Sequence, residues 1–343
     1  MRAVRLMGPE DVQVVEAPDP KLQQPTDAIV RVSHTALCGA DLLPFHGWTP
    51  GFENGTILGH EFVGEVVDVG DAVRQIEVGQ RVVNTSMTSD GTCPHCRANR
   101  ATQCETRALF GYSGVYPRLD GGQAELVRVP MADRCLWPVP DDVSSEDAVF
   151  VADILPTAFA GVRRGGVANG DLVVVLGLGP VGLMAVLSAV GVARQVIGVD
   201  AIEERRRLAE QLGAVTVDPA GAADLVKEAS DGIGADVVIE AAGAVPALDA
   251  SFGLARPQGT ISVVGAHFEP DYPLNNAVMF EKELSLVFSI GNPGRDRELL
   301  FAAIRAGKMK PSTVLTHQLP LDDAKEAYRA FDAREMTKVV LRP

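Results

Sequence analysis

The sequence lacks any run of 18 apolar residues, so no segment reads as a membrane-spanning helix. Its opening stretch, MRAVRLMGPEDVQVVEAPDP, lacks the apolar core of a signal peptide. Without such an address the expected compartment is the cytoplasm. Basic residues are in deficit: 31 Lys and Arg stand against 45 Asp and Glu, a net charge of −14 at pH 7. That balance argues against a nucleic-acid binder, because phosphate backbones need clustered Lys and Arg, and equally against a polybasic membrane anchor. There is no internal repeat, low-complexity tract or linker. Cysteines number five, an odd count, and three of them fall between Cys93 and Cys104. In a cytosolic chain such a cluster points to a metal site rather than to a disulfide framework.

What is present is globular in composition, with 46% apolar and 22% charged residues. A length of 343 residues suggests two domains with ample material for cores. Short β-branched runs fill the first 150 residues: Ala28 to Ser33, Glu61 to Val69, Gln80 to Val83 and Glu125 to Val129, punctuated by Gly and Pro. Closely spaced strands of this kind predict a small β barrel or sandwich. The pattern then changes. Leu172 to Leu176 is a continuous apolar run, as expected of a strand buried on both faces. A glycine turn and an apolar helix to about Val190 follow. Further strands are predicted at Gln195 to Asp200, Val215 to Asp218, Asp236 to Glu240, Thr260 to Val264 and Leu284 to Phe288, with helical stretches between several of them. Alternating βα units predict a doubly wound parallel sheet. From Asn292 the tail predicts helices around Asp296 to Ala306 and Leu321 to Phe331, then a strand at Lys338 to Leu341; Ser144 to Asp147 reads as a helix start at the domain boundary.

Gly177-Leu178-Gly179-Pro180-Val181-Gly182 is a G-x-G-x-x-G that follows a buried strand and opens a helix, the context a dinucleotide site requires. Gly177 permits the tight turn, Gly179 lets backbone approach a pyrophosphate, and Gly182 allows close helix–strand packing. Phosphates would sit at the helix N-terminus, where free N–H groups favour anions. Asp200 ends the next strand, 18 residues after Gly182. A carboxylate there can accept hydrogen bonds from both ribose hydroxyls of NAD and would repel a 2′-phosphate, so NAD is expected over NADP. Arg205 and Arg206, one turn on, weaken that exclusion slightly.

Two metal constellations are present. Cys93 and Cys96 form a CxxC, Cys104 lies eight residues on, and Asp90 stands three before Cys93. One oxygen and three sulfur donors could close a tetrahedral zinc site; the alternative is three reduced, unmetallated thiols. His95, inside the CxxC, is a weaker candidate ligand than Asp90. The second constellation is Cys38-Gly39-Ala40-Asp41 with Gly59-His60-Glu61. A lone Cys or His is more often a packing residue, and an open catalytic zinc needs a third protein ligand.

Taken together, these residues resemble the zinc-dependent medium-chain dehydrogenase/reductase family, in particular its alcohol dehydrogenases. The resemblance covers essentially the whole chain. It includes CGAD at 38–41, GHE at 59–61, the cysteine lobe, Asp153-Ile154-Leu155-Pro156-Thr157, GLGPVG, Asp200, Ile239-Glu240-Ala241-Ala242-Gly243 and Lys338-Val339-Val340-Leu341. It implies an α/β two-domain fold. A GroES-like β-rich catalytic domain over 1–150 is completed by 292–343, and a Rossmann NAD-binding domain spans 151–291. It implies that Cys38, His60 and Asp153 ligate a catalytic zinc. Glu61 would bind the zinc in some resting states, and Asp41 would hold the second nitrogen of the histidine. Asp153 read on its own could instead cap the following helix. Thr157, Pro180, Val181, Arg205 and Gly243 would join Gly177, Gly179, Gly182 and Asp200 at the cofactor. The implied activity is hydride transfer between an alcohol, preferably a secondary alcohol or polyol, and NAD. The chain is expected to act on a small molecule as a homodimer or homotetramer, with Leu284 to Ile290 a candidate edge strand for subunit pairing.

Two departures from the family matter. Position 40 usually carries the hydroxyl that passes the alcohol proton outward, and position 43 often carries a histidine that continues the relay. Here they are Ala40 and Leu43. A water chain or His46 could replace the relay, or the reaction could need no proton at oxygen, as in hydride addition to a C=N or C=C bond. The aromatic residues Phe45, Trp48, Phe110, Tyr112 and Tyr116 are expected either to line an apolar pocket in part or to join the core.

Overall fold

The computed structural model describes residues 1–267, 271–272 and 274–343. The chain forms two compact units: Met1–Asp153 together with Asn292–Pro343, and Ile154–Gly291. The first unit thus extends three residues beyond the expected break at 150, and Asp153 belongs to it.

The first unit is built on antiparallel sheet. Ala28–Ala36 is its centre, pairing with Glu61–Val69 on one edge and with Leu126–Val129 and Val339–Arg342 on the other. Arg81–Asn84, Leu136–Pro138 and His317–Pro320 extend it to seven strands. Register shifts within Ala28–Ala36 mark bulges, which curve the sheet. One core gathers Val30, Phe62, Val66, Val82, Phe110, Val127 and Leu136. A second gathers Leu37, Phe45, Leu58, Tyr328, Val339 and Leu341. Phe45 and Phe110 therefore serve as core, with Phe110 edge-on to Phe62 at 5.4 Å, and not as pocket lining. An N-terminal hairpin, Arg2–Gly8 with Asp11–Glu16, adds a small sheet with Thr56–Ile57. Its two strands, RAVRLMG and DVQVVE, lie outside the runs expected from the sequence.

The second unit is a six-stranded sheet in which every strand pair is parallel. Its order in space is Val215–Val217, Gln195–Val199, Leu172–Leu176, Ala235–Glu240, Ala255–Val263 and Ser285–Phe288. Counted within the unit, that is the doubly wound order 3-2-1-4-5-6. Leu172–Leu176 is buried throughout, as its unbroken apolar run predicts. The order reverses between this strand and Ala235–Glu240, which is where such sheets hold ligands, outside the carboxyl ends of the strands. Among the described residues no helix is long and apolar enough to cross a membrane.

Candidate active site

The residues of the first constellation converge within the first unit. Cys38 precedes the short turn Gly39–Asp41, and His60 precedes the strand Glu61–Val69. Gly59 sits at φ +97°, and a Cβ there would meet Gln123 at 2.5 Å, so both the backbone and the packing beside buried His60 require glycine. Asp153 occupies the break between the turn Val149–Ala152 and the helix Ile154–Arg164. Its carboxylate does not serve as a cap: it accepts a hydrogen bond from Ser86 Oγ at 3.1 Å and faces Cys38 and His60. Cys38 Sγ to Asp153 Oδ2 is 3.8 Å, and His60 Nε2 to the same oxygen is 3.4 Å. Tetrahedral zinc with ordinary bond lengths separates sulfur from oxygen by about 3.6 Å and nitrogen from oxygen by about 3.3 Å. One donor atom each from Cys38, His60, Glu61 and Asp153 lies within 4.8 Å of the others.

The electrostatics fit a dication as well as the spacing does. Burial, Glu61 and Asp153 push the Cys38 thiol up, against the pull of His60. Burial opposes charge on His60, yet Asp41 and Asp153 hold its protonation well above the usual range. Burial, with Asp153 adding to it, pushes Glu61 up to about 7 although Lys338 draws it down. Negative groups crowd one another here, and a bound cation relieves that crowding. Soft thiolate, imidazole and carboxylate together suit zinc. Asp41 stands behind the histidine, its Oδ1 3.1 Å from His60 Nδ1 and its Oδ2 accepting from the Cys38 N–H at 3.0 Å. A carboxylate on the outer nitrogen fixes ring orientation and raises ligand basicity.

Sequence reasoning missed the role of Lys338. It is fully buried, its Nζ is 2.5 Å from Glu61 Oε2, and it also donates to the Leu37 carbonyl at 2.9 Å. One Glu61 carboxylate oxygen is thus tied to a lysine while the other, Oε1, is left without a hydrogen-bond partner among the described residues. Ser86 was missed as well. Tyr112 donates to the carbonyl of Ala40, and burial, with Asp41 adding to it, holds its hydroxyl firmly protonated. His46 is engaged elsewhere: Nε2 lies 2.8 Å from Asp332, Nδ1 3.5 Å from Glu10, and its ring stacks on Trp48 at 4.6 Å. Trp48 itself is 68% exposed.

The cysteine lobe also closes. Asp90, Cys93, Cys96 and Cys104 place donor atoms within 4.8 Å of one another. N–H groups already point at the sulfurs, Asp90 N to Cys104 at 3.3 Å and Cys96 N to Cys93 at 3.4 Å. Backbone N–H groups of Cys93 and Thr92 hold the Asp90 carboxyl well below its usual range. Burial and the neighbouring thiols push Cys96 up to about 12, while backbone N–H groups of Cys96 and Glu105 draw Cys93 down. Three sulfurs and an oxygen fit a closed zinc site. His95 is outside this set. The fifth cysteine, Cys135, is buried in the core.

In the second unit, each glycine of the turn has a distinct physical reason. Gly177 is at φ +86° and a Cβ would meet Ala242 at 2.7 Å; a Cβ on Gly182 would meet the Gly177 carbonyl at 1.8 Å. Gly179 is different: a Cβ there would meet nothing closer than Arg205 at 3.9 Å. Packing does not demand glycine at this point, and the space it leaves is what a pyrophosphate needs to approach backbone. Pro180 and Val181 open the helix Pro180–Val190, with Gly179 as its cap. Asp200 is held at the strand end by the N–H groups of Leu178 (2.7 Å) and Ile202 (2.8 Å), with Arg205 3.9 Å away. Gly243 lies beside Ala242, next to the glycine turn, and donates to Glu240 at 2.9 Å. Thr157 packs against Gly291, where a Cβ would meet its backbone at 2.6 Å.

Comparison with known proteins agrees. Residues 24–141 match the family model of the alcohol dehydrogenase GroES-like domain, and residues 180–304 that of the zinc-binding dehydrogenases. The chain is 37% identical over 360 residues to zinc-type alcohol dehydrogenase B of Aspergillus flavus, covering 100% of this chain and 81% of that protein. The chain belongs to the zinc-binding dehydrogenases. It is an oxidoreductase. The solved structure of alcohol dehydrogenase TADH from Thermus sp. ATN1 matches it with a TM-score of 0.95 at 36% identity, covering 100% of this chain and 99% of that one. Acryloyl-coenzyme A reductase of Sulfurisphaera tokodaii is 31% identical over 349 residues, covering 100% of each.

Proposed function

We propose that this oxidoreductase transfers hydride between an alcohol, a secondary alcohol or polyol by preference, and NAD. The observation that carries the reading is the convergence of Cys38, His60 and Asp153 at zinc-ligand spacing, with Glu61 held at their side by Lys338. Zinc held by these three residues supplies Lewis acidity, which lowers the pKa of a substrate hydroxyl toward neutrality. Asp41 orients His60 and Ser86 orients Asp153, so two of the three donors are fixed by hydrogen bonds or close charge. Lys338 offsets the charge of Glu61 and leaves its second oxygen free to approach or leave the cluster. The glycine turn receives the pyrophosphate at its helix N-terminus, and Asp200 receives the ribose hydroxyls and disfavours a 2′-phosphate. Asp90, Cys93, Cys96 and Cys104 hold a second, structural zinc.

Assembly through the sheet edge belongs to the same proposal. Ser285–Phe288 is an edge strand, with Phe280, Phe288 and Ile290 exposed nearby, a surface suited to pairing in a homodimer or homotetramer. We place the protein in the cytoplasm, acting on a small molecule without nucleic-acid or membrane partners.

The test is NADH formation by zinc-loaded protein across primary, secondary and polyol alcohols, with chelator-treated protein as control. Zinc-dependent turnover of at least one alcohol is expected. A second reading, reduction of a C=C or C=N bond, rests on Ala40 and Leu43, which supply no relay, and on similarity to a named acryloyl-coenzyme A reductase. General acid–base help is worth about 10²–10⁴-fold, so Ala40→Ser should raise alcohol turnover if a relay is what is missing. Reduction of a C=C or C=N substrate by a parent that turns over no alcohol, with that reduction lost in Ala40→Ser, would favour the second reading.

A further inference from the structure

A cavity of about 210 Å³ lies wholly within the first unit. Ser86, Thr102, Arg134, Trp137, Asn292 and Arg297 are among the residues that line it, and no carboxylate does. That is notable in a chain with 45 acidic residues. The Arg134 guanidinium is exposed and has no hydrogen bond or ion pair among the described residues. Arg297 is only 17% exposed; it lies over the Trp137 ring and donates to the Gly294 carbonyl. Its nearest carboxylate, Glu298, is 3.4 Å away and 86% exposed, so that pairing contributes little. Burial lowers the Arg297 pKa; Glu298 opposes that, and Arg134 adds to it by repulsion between the two cations. Trp137 Nε1 is buried and has no acceptor among the described residues, although an indole N–H only donates and buried donors normally find a partner. Asn292 and the first residues of the helix Pro293–Arg305 line the same space. Two guanidinium groups thus gather in a cavity that no carboxylate lines, and one lining residue, Trp137, carries a buried indole N–H without an acceptor among the described residues.

We propose that this cavity is an oxyanion site that takes a phosphate or carboxylate group, with Arg134 and Arg297 as its principal ligands. Guanidinium matches the planar edge of either group with paired N–H donors. A water occupies about 30 Å³ of liquid, so the cavity has room for a phosphate together with several waters. Ser86 joins the cavity to the candidate metal centre, because its Oγ donates to Asp153 at 3.1 Å. The anion is therefore either the tail of the substrate or a free ion bound beside the active site.

The experiment is calorimetric titration of zinc-loaded, full-length protein with inorganic phosphate, at ionic strength held constant with chloride. One saturable site is expected. Arg134→Gln should weaken it about tenfold, as loss of a charged hydrogen-bonding partner does. Arg31→Gln makes the same change in net charge at a position 63% exposed on the sheet and should leave binding unchanged. Absence of saturable binding, or equal weakening by both variants, overturns the proposal. Because Arg134 is exposed and unpaired, its variant tests the site without a folding burden that Arg297→Gln would carry. A second arm rests on the dehydrogenase reading and compares KM for a polyol phosphate with KM for the parent polyol. A lower KM for the phosphate ester, lost in Arg134→Gln, makes the substrate's own anion the ligand. Equal KM values with phosphate binding intact make it a free anion. The titration involves no turnover, so it stands or falls independently of that reading.

Discussion

Replacing Lys338 by Met removes the only cation within hydrogen-bond distance of Glu61 among the described residues and keeps a buried side chain of similar length. The consequence depends on pH, and its sign can be worked out. The Glu61 carboxyl is raised from 4.5 to about 7, so burial favours its protonated form. For such a group the folded state loses stability as pH rises from the unfolded pKa toward the folded one. In the parent that loss stops near pH 7, where Glu61 ionises against Lys338. In Lys338→Met there is no cation to ionise against, and the folded pKa moves higher. Each further pH unit then costs about 1.4 kcal/mol relative to the parent. The gap should be small at pH 6, about 1.4 kcal/mol at pH 8 and about 3 kcal/mol at pH 9. It levels off within the roughly 3–5 kcal/mol that an unpaired buried charge costs. Urea unfolding of chelator-treated protein at these three pH values measures it. Adding Glu61→Gln to Lys338→Met should flatten the pH dependence. A gap already full at pH 6 and unchanged at pH 9 would mean that Lys338 supports packing rather than the charge of Glu61.

The two metal sites should separate by substitution. Cys38→Ala and Cys93→Ser should each lower bound zinc from two to one per chain by elemental analysis, Cys38→Ala with loss of turnover and Cys93→Ser with loss of thermal stability. Asp200→Ala should weaken NAD by about 10–100-fold, the worth of charged hydrogen bonds to ribose, and relax discrimination against NADP; an unchanged cofactor preference would contradict the assigned role. Asp236 joins two strand starts in the second unit by accepting from the Leu172 N–H and from Arg256, both at 2.7 Å. These donors hold its carboxyl below the usual range despite the opposing effect of burial. Its contribution is therefore present above the ordinary carboxylate pKa and lost as pH falls below it. Asp236→Ala should cost about 1–3 kcal/mol at pH 7, with a gap to the parent that narrows in acid.

The residues that announce themselves in the sequence are those whose chemistry and backbone demands coincide. Leu172–Leu176 is apolar because both faces are covered, and the strand begins and ends where the run does. Glu61–Val69 matches its β-branched run in the same way. Gly177 and Gly182 are required sterically, so the turn could be read without coordinates. The strand expected at Thr260 to Val264 starts earlier, at Ala255, because a register shift lets the Arg256–Gly259 segment stay within the strand although it carries Pro and Gly. Lys338 could not be read in this way. A lysine before a terminal apolar strand usually faces water, and only the pairing of Val340 with Ala36 turns it inward against Glu61. Ser86 carries no motif at all: its place depends on where the turn Val149–Ala152 delivers Asp153. Of the aromatic residues for which pocket and core were both open, Phe45 and Phe110 fill cores, because loop-like sequence does not tell which side chains a neighbouring sheet covers.

The separation of Lys338 from its partner has a consequence for how the protein is made. Glu61 precedes Lys338 by 277 residues. At a synthesis rate of about 5–20 residues per second, roughly 15–55 s pass between the two. In that interval the strands of Ile154–Gly291 are all made, while Ala28–Ala36 still awaits Val339–Arg342. The unit that begins first finishes last. Cys38, His60 and Asp153 emerge early, but the lysine that balances the carboxylate beside them arrives only with the final strand. A nascent chain arrested before Lys338 would hold Cys38, His60 and Asp153 without the counter-charge that tunes Glu61 beside them.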